Sequence, residues 1–198
     1  MKATKILLIP ILIVALYINN VQAQQSLQVK AYSLMIEGTS SLHDWESTVE
    51  KLDFKGTFTL AGNSLTAIKG VVATIPVKSI KSPKGKMMDN KTYEAFNYEK
   101  NPNIIFTMTG SKIDERKGII DALGTLTMAG MTKPIDLSLN YKLLPDGDVR
   151  ITGSKKLLMT DFKMEPPTAM MGAIKVADEV VVKIDLTLTP GTQLTKTK

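Results

Sequence analysis

The sequence predicts an all-β fold: an antiparallel barrel or sandwich of about eight strands with one short helix. The clearest observation is the run Asp178–Thr189, in which apolar and polar residues alternate. Successive side chains of a strand point to opposite faces, so this run has one apolar and one largely polar face. A sheet with one apolar face must close on itself or pair with another sheet to bury it. The apolar residues of this run are Val180, Val182, Ile184, Leu186 and Leu188.

The same alternation, interrupted by turn residues, recurs along most of the chain. Pro145-Asp146-Gly147 and Glu115-Arg116-Lys117-Gly118 are typical turn sequences between such runs. No strand is followed by the longer helical pattern of a parallel sheet, which favours antiparallel pairing. The other predicted strands are Leu27–Ile36 with a bulge near Tyr32–Leu34, Leu52–Leu60, Leu65–Val77, Ile104–Ile113, Ile119–Met128, Ile135–Leu143 and Val149–Thr160.

The segment between Ser79 and Asn103 breaks the strand pattern. It predicts a short helix over Lys91–Tyr98, with Asp89 or Asn90 as the N-terminal cap. Long loops in compact domains are often functional, and a cationic loop at a pocket rim could hold an anionic head group. An ordinary solvated loop is the alternative. The lysines concerned are Lys78, Lys81, Lys84, Lys86 and Lys91.

The N-terminus predicts export. Lys2 and Lys5 precede an apolar stretch, and small residues end at Ala23, as in a secretory signal peptide. The stretch from Ile6 to Ile18 is shorter than the roughly 20 residues that span a bilayer. We therefore predict a signal peptide over residues 1–23, one domain over 24–190, and a polar tail over 191–198. The mature protein is expected in the periplasm and not across a membrane.

Composition excludes several function classes. The chain has no cysteine and one histidine, which leaves no thiolate and few nitrogen ligands for zinc or haem. The net charge of +6 is spread out and not gathered with aromatics into a stripe that would bind nucleic acid. With 11 methionines and few aromatics, the chain can line an adaptable apolar cavity or simply fill a core.

A catalytic site would be built around His43, Asp44 or Asp89, with His43 as the general base. A catalytic histidine needs an orienting carboxylate and a nucleophile, and no serine motif or nucleophile elbow is present. On an extended segment His43 and Trp45 share a face, which favours a structural pair at a barrel mouth. The sequence thus predicts that the protein is not an enzyme.

Several motifs follow one another along the chain: Gly38–Trp45, Asp89 before the helix, Asn101–Phe106, Gly124–Lys133, Thr160–Phe162 and Asp178–Val180. In this order and spacing they resemble the YceI-like family across about residues 26–190. The chain departs from many members at Met88, where arginine is common, and at Lys163, where glycine is common. The first departure leaves the identity of any ligand head group open.

The resemblance implies a lipocalin-like extended antiparallel β-barrel with an elongated apolar tunnel, which holds a polyisoprenoid in some members. We therefore predict an exported carrier or reservoir for an isoprenoid or similar lipid, with no cofactor beyond a polyisoprenoid or quinone-type lipid. The alternative is a periplasmic stress or interaction protein whose barrel is filled by side chains. The oligomeric state stays open, a dimer included. The predicted ligand-binding residues are Phe54, Phe58, Leu137, Leu139, Val182, Ile184 and Leu186 inside, with His43, Trp45 and Asp89 near the mouth.

Overall fold

The protein, in a computed structural model that describes residues 24–61 and 64–191, consists of eleven strands and one α-helix. The predicted signal peptide and all but the first residue of the predicted tail lie outside the described residues. The long strands are β1 (Gln24–Ser40), β3 (Asp53–Ala61), β4 (Ser64–Pro76), β6 (Asn103–Asp114), β7 (Ile119–Met128), β8 (Met131–Leu143), β9 (Val149–Leu158) and β11 (Ile174–Pro190). The short elements are β2 (Trp45–Val49), β5 (Ile80–Lys81), helix α1 (Lys86–Phe96) and β10 (Thr168–Ala169).

The eight long strands close into an antiparallel barrel in the order β1-β3-β4-β6-β7-β8-β9-β11. Closure comes from a long ladder between β1 and β11, which runs from Leu27 opposite Pro190 to Ser40 opposite Val176. This pairing leaves neither β1 nor β11 as a free edge along most of its length, which limits edge-to-edge association. The lipocalin-like barrel predicted from sequence is confirmed.

Two local predictions were wrong. The helix begins at Lys86, five residues before the predicted start, with Gly85 as its N-cap. Gly85 has φ of 86°, which favours glycine, and it offers no side chain for the hydrogen bond that marks a cap in sequence. The register of β1 with β11 shifts between Val29 and Ala31 and again between Gly38 and Ser40, and not near residues 32–34, where a bulge or bend was predicted.

The barrel interior differs between its two ends. At the end of the barrel where β3 leads to β4 and β8 leads to β9, the side chains fill the interior. Phe58, Leu65, Val149 and Leu188 are at most 1% exposed there. We call this packed end the floor. The opposite end, which we call the mouth, carries α1, the β1–β2 turn and the segment between β9 and β11.

The barrel wall is not hydrogen-bonded along its whole height. Strands β8 and β9 are described in full, yet they pair only from Asn140 opposite Thr152 to Leu143 opposite Val149, close to the floor. Toward the mouth the two strands separate, and the gap is covered by the 3-10 turn Thr160–Phe162. We call this gap the β8–β9 seam. Side chains, and not a backbone ladder, close the wall there.

Candidate functional site

A single apolar cavity of about 1040 Å³ occupies the barrel from the mouth down to the floor. Ligand pockets usually measure about 300–1,000 Å³, so this one is large. Its walls come from strands on every side of the barrel, since each strand turns alternate side chains inward. The inner wall includes Leu34, Phe54, Ile75, Phe106, Leu126, Leu137, Leu139, Val182, Ile184 and Leu186.

Most of the predicted interior residues line this cavity. Six of the seven do so, and Phe58 is the exception. Phe58 is 1% exposed and packs in the floor cluster, so it closes the cavity from below without facing it. The alternation of β3 correctly put Phe58 on the inward face. Its distance from the mouth, which the alternation does not encode, decided that it meets other side chains instead of open space.

Methionines make a larger part of the lining than the aromatic residues do. Met88, Met108, Met128, Met159 and Met164 all face the cavity. Unbranched thioether side chains adopt many shapes at little cost, so such a wall can adapt to a flexible ligand. The methionine-rich composition was the sequence signal for this wall, although core filling would leave the same signal.

The β1–β2 turn positions His43 and Trp45 at the mouth, and both line the cavity opening. The Ser40 hydroxyl accepts hydrogen bonds from the backbone N–H groups of Leu42 (3.3 Å) and His43 (3.2 Å), and it donates one to the His43 carbonyl (2.7 Å). The Trp45 indole N–H donates to the Thr39 carbonyl at 3.2 Å. These bonds give a physical reason for the Gly38–Trp45 motif: it builds a tight turn at the rim.

Gly38 is required beneath the tryptophan. It pairs with Trp45 across the β1–β2 ladder, and the indole ring lies against its Cα. A Cβ placed on Gly38 would come within 2.4 Å of the ring, which is far inside van der Waals contact. The glycine therefore sets the position of the only tryptophan in the chain.

Asp89 is not the N-cap of α1, so its predicted capping role was wrong. It lies outside the cavity lining, and its predicted role in ligand binding stays a prediction. Its carboxylate is 7% exposed and accepts a 2.8 Å hydrogen bond from the backbone N–H of Ser82. Lys81 approaches the same carboxylate at 3.4 Å and donates to the Tyr93 hydroxyl at 2.6 Å. The bond to Tyr93, together with Asp89, raises the pKa of Lys81. Asp89 fixes the loop before α1.

The lysines of the lysine-rich loop have two roles: some stabilise the fold, and others line the mouth of the cavity. Lys81 pairs with the buried Asp89 carboxylate, and the Lys78 ammonium lies 4.4 Å from the centre of the Tyr98 ring. Lys84 and Lys91 line the mouth of the cavity, where Lys91 also pairs with Glu94 at 3.0 Å.

Lys155 crosses the β8–β9 seam. It shares the inward face of β9 with Leu157 and lines the cavity, yet its ammonium reaches the Asp136 carboxylate at 3.1 Å. Asp136 lies on the outer face of β8 and is 78% exposed. The hydrogen bond from Lys155 lowers the pKa of Asp136. The aliphatic part of the Lys155 side chain therefore forms part of the apolar wall, while its ammonium group reaches the outer face through the seam.

The histidine at the mouth contacts its own turn. The His43 ring nitrogen Nδ1 lies 2.7 Å from the Asp44 carbonyl oxygen, a contact with its own turn. Over residues 24–61 and 64–191, no group of three or more His, Asp or Glu side chains is placed to hold a metal ion. None of the helices in that part of the chain has the length and hydrophobicity of a membrane span. What the cavity offers is an apolar surface of defined length and width.

Comparison with known structures agrees with the barrel. BcnA of Burkholderia cenocepacia superposes with a TM-score of 0.66 at 16% identity, covering 80% of this chain and 96% of the other. A polyisoprenoid-binding domain of Saccharophagus degradans gives 0.62 at 15% identity, covering 86% and 99%. The YceI protein of Campylobacter jejuni gives 0.58 at 20% identity, covering 74% and 85%. At these identities the likeness shows the fold.

Sequence comparison identifies the family. No curated protein sequence matches the chain significantly. The family model of the YceI-like domain matches residues 20–188, which includes every strand of the barrel except the last two residues of β11. Because that match covers most of the sequence, the chain belongs to the YceI-like family.

Proposed function

We propose that the protein is an exported carrier or reservoir that holds one long apolar lipid, of the polyisoprenoid type, inside its barrel. The observation that carries this proposal is the continuous apolar cavity of about 1040 Å³, closed at the floor and open at the mouth. A space closed at one end and lined by side chains from all around the barrel suits a chain that enters lengthwise. The polyisoprenoid-binding domain of Saccharophagus degradans has the same fold, which supports the choice of lipid.

The size of the cavity favours an apolar occupant. A cavity of about 1040 Å³ has room for a long hydrocarbon chain. Water gains little in such a space because few polar partners face it. A hydrocarbon chain recovers about 0.8 kcal/mol for each methylene that it buries there.

The lining also indicates what the site selects. Its deeper part is built from aliphatic, methionine and phenylalanine side chains, which make no directed contact with a ligand. Polar and charged groups such as His43, Glu46, Lys84 and Lys91 gather at the mouth. We therefore expect the tail of a ligand to be chosen by length and width, while its head group lies at the mouth.

The alternative, a barrel filled by its own side chains, predicts packing from end to end. Only the floor fits that description, since the cavity extends above Phe58 and Leu65. A catalytic function lacks a supporting constellation, because His43 contacts its own turn. The lipid-binding proposal accounts for the interior more completely than either alternative.

Export is part of the proposal. Its support is the sequence of residues 1–23, with two lysines, an apolar stretch and a small-residue end at Ala23. The mass of the protein purified from its periplasm tests this directly. A chain that begins at Gln24 is expected, and an intact Met1 would contradict the proposal of a cleaved signal peptide.

The ligand is tested by extraction. Protein purified without detergent is extracted with organic solvent, and the extract is analysed by mass spectrometry for prenyl lipids. A stoichiometric long-chain lipid is expected. If no lipid is recovered and added prenyl alcohols leave the Trp45 fluorescence unchanged, the carrier proposal is wrong.

A further inference from the structure

Exposed apolar side chains gather around the mouth. Large apolar groups on a protein surface mark interaction sites when they lie together. Six large hydrophobic side chains are strongly exposed over the described residues, and four of them belong to the segments of the mouth. These four are Leu42 (66% exposed), Met87 (74%), Met170 (75%) and Met171 (109%), and we call them the rim residues.

The rim residues come from three separate segments that meet at the same end of the barrel. Leu42 lies in the β1–β2 turn and Met87 in the first turn of α1, and both line the cavity opening. Met170 and Met171 lie between β10 and β11. The start of β11, which follows these two methionines, is hydrogen-bonded to the β1–β2 turn: the Ser41 backbone N–H donates to the Lys175 carbonyl at 2.9 Å.

The turn of Met170 and Met171 holds an unfavourable backbone. Their φ angles are 49° and 55°, in the left-handed region that non-glycine residues rarely adopt. Both side chains are exposed, so neither gains the burial that could offset this conformation within the chain. Strain of this kind is kept in proteins mainly at functional segments. Apolar contacts of these two side chains with a surface outside the molecule would stabilise the turn.

Lysines flank the rim residues. Lys84 and Lys86 lie next to Met87, and Lys175 lies next to Ser41. Within the described part of the chain, none of these three ammonium groups makes a salt bridge. Asp44 and Glu46 line the opening on the β1–β2 side, where Lys175 also lies, while Lys84 and Lys86 lie on the α1 side.

We propose that the mouth docks on the surface of a bilayer that contains anionic phospholipids. The rim residues enter the boundary between head groups and acyl chains, and Lys84, Lys86 and Lys175 lie at the phosphates. A bilayer fits better than a protein partner, because the apolar groups stand on separate turns around an opening and offer no continuous flat face. The inference rests on the proposed function: a docked mouth lets a hydrocarbon chain move between membrane and cavity without crossing water.

The test is sedimentation of the purified protein with vesicles. One set is pure phosphatidylcholine and the other contains about 30 mol% phosphatidylglycerol. The wild-type protein is expected to bind the anionic vesicles and to bind the neutral ones more weakly. Replacing Met170 and Met171 by serine is expected to weaken binding by about tenfold or more, since both apolar anchors are lost.

The methionine variant and a second variant that reverses two lysines each have a matched control. Leu123→Ser removes an exposed apolar side chain (58% exposed) from the outer wall on β7, away from the mouth, and it is expected to leave vesicle binding unchanged. The double variant K84E/K86E is expected to lose about tenfold or more on anionic vesicles. Its control, Lys117→Glu, reverses an exposed lysine in the β6–β7 turn at the floor end and is expected to have no effect.

The outcomes separate this inference from the proposed function. Prenyl-alcohol binding in solution is measured by Trp45 fluorescence for every variant. Retained lipid binding with lost vesicle binding in the methionine variant supports the docking surface. Absence of vesicle binding by the wild-type protein, or an equal loss in Leu123→Ser, overturns it and leaves the rim to a protein partner. Vesicle binding without any prenyl binding would refute the carrier and keep the docking surface.

Discussion

Narrowing the inner end of the cavity should shorten the lipid that the barrel accepts. Ala122 on β7 is suited to this change, because it is 5% exposed, lines the cavity and also contacts the floor cluster. It pairs with Leu137 across the β7–β8 ladder, so a larger side chain there points into the space where the ligand tail would end. The variant Ala122→Phe adds a phenyl ring, which is about the size of one five-carbon prenyl unit.

The expected magnitude follows from the carbons that the ring displaces. Five carbons at about 0.8 kcal/mol each amount to about 4 kcal/mol of lost apolar burial. Since about 1.4 kcal/mol changes a dissociation constant tenfold, a ligand that fills the cavity should bind roughly 1000-fold more weakly. A ligand one prenyl unit shorter does not reach the ring, so its affinity should change little.

The assay is a fluorescence titration of Trp45 with prenyl alcohols that differ by one unit. Leu123→Phe adds a ring on the outer face of the same strand, and all its affinities should match the wild type. Thermal unfolding of each variant checks that the barrel is intact. If Ala122→Phe keeps its melting temperature and still binds the longest alcohol as tightly as the wild type, the ligand does not occupy this cavity.

Three further changes probe the mouth and the fold. Gly38→Ala should displace the Trp45 indole, because the new Cβ would lie 2.4 Å from the ring; a shifted emission maximum in the folded protein tests this, and an unchanged spectrum would contradict it. Asp89→Ala should lower the free energy of unfolding by about 1 kcal/mol, since the partly buried backbone N–H of Ser82 loses its acceptor. Chemical denaturation measures this loss, and Asp89→Asn, which keeps an acceptor oxygen, should lose less. Stability should also fall in acid, because hydrogen bonds from the Thr160 hydroxyl and N–H lower the pKa of Asp178. The unfolded carboxyl, with a pKa of about 3.9, binds its proton first, so this stabilisation is complete above that pH and is lost as pH falls through the lower folded pKa. Melting temperatures between neutral pH and about pH 3 should decline less steeply in Asp178→Asn than in the wild type, and parallel curves would refute this assignment.

Sequence alone determined the eight long strands of the barrel and the face that each turns inward, but not the short strands β2, β5 and β10. The bounds of β7 are those predicted, and β11 buries Val180, Leu186 and Leu188 as its alternation requires. This succeeds because the two-residue period of a strand is a local property, written directly in the order of apolar and polar residues. The short helix was detected, but its start was missed, because Gly85 caps it without a side-chain hydrogen bond.

Only the tertiary structure decided which inward-facing residues line the cavity and which pack against each other. Phe54 and Phe58 have the same phase on β3, yet Phe54 lines the cavity and Phe58 seals the floor. The difference depends on the position of each residue along the barrel axis. That position is set by barrel closure and strand stagger, which the local sequence does not encode. The passage of Lys155 through the β8–β9 seam to Asp136 has the same origin. This ion pair forms because β8 and β9 separate toward the mouth. The separation depends on how the whole barrel closes, and no local sequence pattern encodes it.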